Sequence, residues 1–161
     1  MNKVYLSLGS NLGEREKNLA RAIEELEKRR VKILRRSSIY ETEPLEIREQ
    51  AWFLNCVIEV ETDLPSQQLM NMLLEIELQL GRRRGVKYGP RTIDLDILLY
   101  GDLVVNEPEL MIPHAKMAER RFVLAPLAEI APQVVHPVLH RTAAELLAEC
   151  SDPAEVRKTA S

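Results

Sequence analysis

Apolar and polar residues alternate along the first stretch of the chain. Val4, Leu6 and Leu8 interleave with Tyr5 and Ser7, which predicts a strand over residues 3 to 8. A turn, Gly9-Ser10-Asn11-Leu12-Gly13, follows. Asn11 with Glu14 resembles a helix-capping pair, and Leu19, Ala22, Ile23 and Leu26 recur at helical spacing through about Arg30. Val31 to Tyr40 reads as the next strand, and residues 41 to 51 as a long loop of the kind that often carries binding residues. Trp52 to Glu61 is a strand with Leu54, Cys56, Ile58 and Val60 on one face and Phe53, Asn55, Val57 and Glu59 on the other. Pro65 suits the start of a helix whose buried stripe is Leu69, Leu73, Ile76 and Leu80, and Gly81 fits its stop. Ile93, Leu95 and Ile97 then alternate with Asp94 and Asp96, which predicts one more strand. Beyond two turns near Gly101 and Asn106, Pro126, Pro132 and Pro137 break the pattern into short pieces. Thr142 and Glu145 form a capping box for a helix to about Glu149, and the polar tail from Ser151 is expected to fray.

The order strand, helix, strand, strand, helix, strand predicts an α+β fold of ferredoxin-like pattern: an antiparallel sheet, helices packed on one face, and a mixed C-terminal extension. The uncovered face of such a sheet is the natural place for a ligand. A chain of 161 residues suffices for one domain with a real core, so residues 1 to 161 are taken as a single domain ending in the 151–161 tail. The 22 basic and 25 acidic side chains nearly balance, which argues against a general nucleic-acid or membrane-surface binder. Met1-Asn2-Lys3 runs straight into the first strand without a signal-like segment. No apolar run approaches the roughly 20 residues of a membrane span, so a cytoplasmic protein is expected. Cys56 and Cys150 lack metal-ligand spacing and read as reduced thiols. With no long apolar stripe unaccounted for, a monomer is expected.

Although charge is balanced overall, it is concentrated locally. Residues 81 to 96, GRRRGVKYGPRTIDLD, set Arg82, Arg83, Arg84, Lys87 and Arg91 among three glycines and a proline, just before Asp94 and Asp96. Arginine forks match phosphate oxygens, and glycines allow a loop to close over a polyanion. Two carboxylates on one strand face can share Mg²⁺, which takes one or two protein carboxylates and completes its shell with water and phosphate. Each half alone is commonly a solvated surface feature. Together they imply a metal-assisted site for a nucleotide polyphosphate, because scattered surface ion pairs, worth about 0–1 kcal/mol each, give little reason to gather these residues on one loop. Phe53 and Asn55, on one face of their strand, could stack and hydrogen-bond a flat heterocycle.

These motifs carry a resemblance. Gly9-Ser10-Asn11-Leu12-Gly13, Tyr40-x-Thr42-x-Pro44-Leu45, Phe53-Leu54-Asn55, Pro113-His114, Arg120-x-Phe122 and above all Gly89-Pro90-Arg91-Thr92-Ile93-Asp94-Leu95-Asp96-Ile97 resemble the 6-hydroxymethyl-7,8-dihydropterin pyrophosphokinases of folate biosynthesis. The likeness extends to about residue 150. It implies transfer of pyrophosphate from ATP to the hydroxymethyl group of the pterin, with AMP released. It further implies that Asp94 and Asp96 hold two Mg²⁺, that Phe53 and Phe122 sandwich the pterin, and that Asn55 and the backbone around Thr42 and Leu45 read its edge. On the ATP side it suggests Glu77, Arg82, Arg84, Lys87, Tyr88, Arg91, Ile97, His114 and Arg120. Arg82 and Arg91 are the residues expected to stabilise charge during transfer, with Asp94 and Asp96. No side chain is compelled to be the general base: an aspartate, or a metal that lowers the hydroxyl pKa, would serve. Ala115 and Tyr88 depart from the family pattern, where aromatic residues and tryptophan are common. The competing classes are a kinase moving one phosphoryl group and a non-enzymatic ferredoxin-like module binding RNA or a nucleotide.

Overall fold

The computed structural model describes residues 2–43, 51–81 and 92–159. Its elements in chain order are β1 (Asn2–Ser10), α1 (Arg15–Glu27), β2 (Lys32–Arg36), β3 (Tyr40–Thr42), β4 (Phe53–Thr62), α2 (Ser66–Gln79), β5 (Asp94–Tyr100), β6 (Val105–Glu107), β7 (Leu110–Ile112), a 3₁₀ turn (Met117–Glu119), α3 (Arg121–Ile130), α4 (Ala143–Glu149) and β8 (Val156–Lys158). The main sheet runs β5-β1-β4-β3-β8, with β2 also on β4, and every pairing is antiparallel. β4 thus lies between β1 and the β2/β3 edge, the split arrangement of the ferredoxin-like fold.

Period-two patterning divides the sheet cleanly. Val4, Leu6 and Leu8 of β1, Cys56, Ile58 and Val60 of β4, and Leu95 and Ile97 of β5 pack with Leu19, Ile23 and Leu26 of α1 and Leu69, Leu73 and Ile76 of α2. On the opposite face, Tyr5, Val57, Leu98 and Leu99 meet Val123, Leu127 and Ile130 of α3 and Ala143 of α4. The C-terminal extension therefore covers part of the face expected to be bare, and the ligand-accessible surface is what it leaves open.

Several local expectations are revised. The strand expected over residues 31 to 40 is two strands, because Ser37 interrupts the ladder. Its hydroxyl accepts the Val57 N–H at 2.9 Å, and the Ser38 N–H is given to Glu129 of α3 at 3.0 Å. Asn11 does not cap α1; its Nδ2 donates to the Ala51 carbonyl, and the N-cap Glu14 makes no side-chain cap. Pro126 lies inside α3 instead of ending it, at the cost of the one helical bond its missing N–H would have made. The tail expected to fray contains β8, which pairs with β3. The capping box at Thr142 and Glu145 is present with both of its hydrogen bonds, and Gly81 stops α2 with a φ of 95°. Between Tyr5 and Leu6 the β1–β5 register shifts by one, so Leu98 has no partner opposite it and shares a face with Leu99. No helix among the described residues is long and apolar enough to cross a membrane.

Candidate active site

Across the sheet, Asp94 of β5 stands opposite Gly9 of β1, which stands opposite Asn55 of β4, which stands opposite Tyr40 of β3. One row along, Asp96 pairs with Ser7, and Ser7 with Val57. Directly opposed residues in antiparallel strands share a face. Both carboxylates and Asn55 therefore project on the α3 side, just beyond the part that α3 covers. An open cleft of about 390 Å³ lies there, lined by the β-strand residues Ser7, Gly9, Thr42, Phe53, Asn55, Asp94 and Asp96. Its other wall comes from His114, Lys116, Arg120 and Phe122.

Gly9 makes the floor possible. A Cβ built there would sit 2.6 Å from Asn55 Oδ1 and 3.5 Å from the Phe53 ring, so any side chain at position 9 would displace the amide. Asn55 is buried and its Nδ2 donates to Thr42 Oγ1 at 2.6 Å, which fixes the amide's orientation across two strands. Phe53 of β4 and Phe122 of α3 both line the cleft, and the Arg120 guanidinium lies 5.6 Å from the centroid of Phe122.

The bulge in β5 matters to the far wall. Leu98 C=O accepts the His114 N–H at 3.0 Å, so a carbonyl next to the irregularity anchors the imidazole's backbone. His114 Nδ1 accepts the Lys116 N–H at 3.2 Å, which leaves Nε2 to carry the proton of the neutral ring. Burial pushes the His114 pKa down; Arg120 and Lys116 add to that, and Asp94 opposes it. A neutral imidazole with a donor N–H suits an anionic ligand at neutral pH.

Asp94 and Asp96 are half-buried, and two residues along one strand separates their Cα atoms by about 7 Å. Among the described residues, no group of three or more His, Cys, Asp and Glu could hold a metal by itself. A pair of carboxylates facing an open cleft instead fits Mg²⁺, whose remaining positions go to water and phosphate oxygens.

The sequence-predicted residues Thr42, Phe53, Asn55, Asp94, Asp96, His114, Arg120 and Phe122 all line this one cleft. Two do not. Ile97 points to the other face and is buried in the α1/α2 core. Glu77, expected near the nucleotide, is 3% exposed on α2 and accepts the Leu95 N–H at 2.7 Å, so it supports the aspartate strand from behind. Leu45, Arg82, Arg84, Lys87, Tyr88 and Arg91 lie outside the described residues. Ser7, Gly9, Glu43, Leu98, Ala115, Lys116 and Val123 complete the lining, none of them among the expected contact residues. Alternation along β1 already put Ser7 on the polar face; nothing local marked Lys116, which follows the anchored imidazole.

Comparison with known proteins agrees with this geometry. The family model for 7,8-dihydro-6-hydroxymethylpterin-pyrophosphokinase (HPPK) matches residues 5–132. The chain is 47% identical over 134 residues to a 2-amino-4-hydroxy-6-hydroxymethyldihydropteridine pyrophosphokinase of Bacillus subtilis, covering 83% of this chain and 80% of that protein. It is 40% identical over 159 residues to the protein of the same name from Methylorubrum extorquens, covering 98% and 99%. Other relatives are longer: the chain spans 18% of the "Folic acid synthesis protein fol1" of Pneumocystis carinii, at 46% identity over 84% of this chain. Among solved structures, wild-type HPPK-DHPS of Plasmodium falciparum superposes with a TM-score of 0.72 at 18% identity, over 92% of this chain and 43% of that one, a likeness of fold. With every residue that lines the cleft inside the matched region, the chain belongs to the 7,8-dihydro-6-hydroxymethylpterin-pyrophosphokinase family.

Proposed function

We propose that the cleft binds 6-hydroxymethyl-7,8-dihydropterin and ATP together and transfers pyrophosphate from the nucleotide to the pterin hydroxymethyl group. The observation that carries this assignment is the row Asp94–Gly9–Asn55. It sets an amide for reading a heterocycle two strand spacings, about 10 Å, from a carboxylate pair, the span of a bicyclic ring with its hydroxymethyl arm. The pterin lies between Phe53 and Phe122, with Asn55 and the backbone near Thr42 and Leu45 on its polar edge. Its hydroxymethyl oxygen attacks the β-phosphorus of ATP, the bond from that phosphorus to the oxygen bridging the α-phosphate breaks, and AMP leaves. The hydroxyl proton passes to solvent water as the new P–O bond forms.

Asp94 and Asp96 would hold two Mg²⁺. When bound, the metal neutralises phosphate charge and aligns the polyphosphate for in-line displacement. His114 contributes its Nε2–H, and Arg120 its guanidinium, to the phosphates along the wall. Arg82, Arg84, Lys87, Tyr88 and Arg91 are assigned to ATP, with Arg82 and Arg91 stabilising charge during transfer. For Glu77 the buried bond to Leu95 supports a positioning role beneath the aspartates, and for Ile97 only main-chain atoms remain to face a ligand. We take a monomer as the working unit. The two free cysteines suit a reducing compartment, and we place the enzyme in the cytoplasm on that ground.

The test is product identity. Incubation with Mg²⁺, ATP and the hydroxymethyl-dihydropterin should release AMP and form the pterin diphosphate. ADP as product would replace this assignment with single phosphoryl transfer, and no turnover by folded protein would remove it. Asp94→Asn and Asp96→Asn should each lower kcat by at least about 10²-fold, since several kcal/mol of charge stabilisation depend on them.

A further inference from the structure

Residues 150–159 touch both walls of the cleft without lining it. At one end, Asp152 Oδ2 accepts the Arg121 N–H at 3.0 Å, and the Arg121 guanidinium donates to the Cys150 carbonyl at 2.9 Å. Arg121 opens α3 between Arg120 and Phe122, so these bonds hold one wall. At the other end, Glu43 N–H donates to the Glu155 carbonyl at 3.1 Å, and Glu155 N–H to Glu43 Oε1 at 3.1 Å. β8 then pairs Val156 with Thr42 and Arg157 with Glu41. The Arg157 side chain donates twice to Glu41 Oε1, at 3.0 and 2.8 Å, and its guanidinium lies 4.8 Å from the ring of Trp52, the residue before Phe53. These contacts hold the second wall.

The two anchors, Asp152 and Glu155, are three residues apart. A chain of that length spans at most about 11 Å, and Pro153 removes one of its soft dihedrals. Asp152 Oδ1 also accepts the Ala154 N–H at 2.9 Å, which stiffens the connection. A short, braced tie between two walls limits how far they can separate. The segment lies beyond the residues that the family model matches.

We infer that residues 150–159 form a strap that sets the gap between the Phe122 wall and the Thr42–Phe53 wall, and thereby the affinity for the pterin. Arg157 and Asp152 are positioning residues of this strap. The inference rests on assigning the pterin to this cleft.

Two substitutions in the full chain test it, Asp152→Ala at one anchor and Arg157→Ala at the other. Each should raise the KM for the pterin by about fivefold while leaving the KM for ATP within about twofold, because only uniform binding at one substrate is lost. A strap released at either end is already slack, so the double variant should match the weaker-binding single one. Unchanged pterin KM in both variants, or effects that multiply in the double variant, would overturn the strap. Hydrogen exchange supplies an arm independent of turnover. Asp152→Ala should speed exchange at the amides of residues 40–43, on the opposite wall, and Arg157→Ala should do so at Val123 and Leu124. Acceleration confined to each variant's own wall refutes the coupling even if the pterin assignment stands. Should the wild-type protein release no AMP, the functional assignment falls while the exchange arm still decides the strap.

Discussion

At position 9 a methyl group is enough to disturb the site. Gly9→Ala would place its Cβ against Asn55 Oδ1, and the amide could yield only by giving up its bond to Thr42. The expected result is a pterin KM raised about tenfold, a loss comparable with one buried hydrogen bond and its strain, with the ATP KM little changed. Steady-state kinetics with each substrate varied in turn checks it; equal effects on both would show a general distortion. Sequence alone shows Gly9 only as part of a turn and not as a close cross-strand approach, because that approach involves a residue 46 positions away. Glu77 shows the same blindness from the other side. On α2 it looks like a solvated helix charge, and only the passage of β5 beneath that helix reveals its buried bond to Leu95. Asp94 and Asp96, by contrast, were legible outright, since alternation within one strand decides which way they face.

Strands stand or fall with the pairs between them. Tyr5 of β1 donates to Glu59 of β4, and Arg35 of β2 clamps the same carboxylate at 2.9 and 3.2 Å, so three strands share one buried anion. Burial by itself would raise the Glu59 pKa, but the bonds from Arg35 and Tyr5 outweigh it and hold the carboxyl below its usual range. A depressed carboxylate stabilises the fold fully above its unfolded value, about 4.3, and the stabilisation is lost as pH falls through the folded value. Glu59→Gln should therefore lower stability at pH 7 by about 1–3 kcal/mol and flatten the acid limb below pH 4.3. Denaturant melts at pH 7 and pH 3 measure both; an unchanged acid limb would remove Glu59 from the account. The strong periods of β1, β4, α2 and β5 made these elements readable in advance. The break between β2 and β3 was not, because Ser37 has no local feature that says its hydroxyl will stand in the ladder.

The whole molecule is a sheet with unequal covers. One face is closed by α1 and α2, and the other only in part by α3 and α4, which leaves the cleft where the second cover ends. The two cysteines report on this asymmetry. Cys56 is buried under the first cover and its thiol is pushed up to about 12 by burial, while Cys150 is half-exposed at the end of α4. An alkylating reagent at neutral pH should modify Cys150 in the native protein and reach Cys56 only through global unfolding, so Cys56 labelling rates should track denaturant stability. Rapid native labelling of Cys56 would mean that the first layer opens locally. The general architecture was readable because local periods suffice for it. The C-terminal strand was not, since Arg157 and Glu41 are 116 positions apart and residues 151–159 have no period of their own.

The extra residue in β5 gives that strand two phases. Up to Ile97 the odd positions face α1 and α2, and past Leu98 the even ones do, as Tyr100 joins that core and Leu99 the other. The half that presents aspartates and the half that fills the core are thus set independently, and the carbonyl at their junction holds His114. For this strand, length is as constrained as composition. Exchanging Leu98 for another apolar residue keeps both phases, whereas deleting it would turn the second half over and leave the imidazole without its anchor.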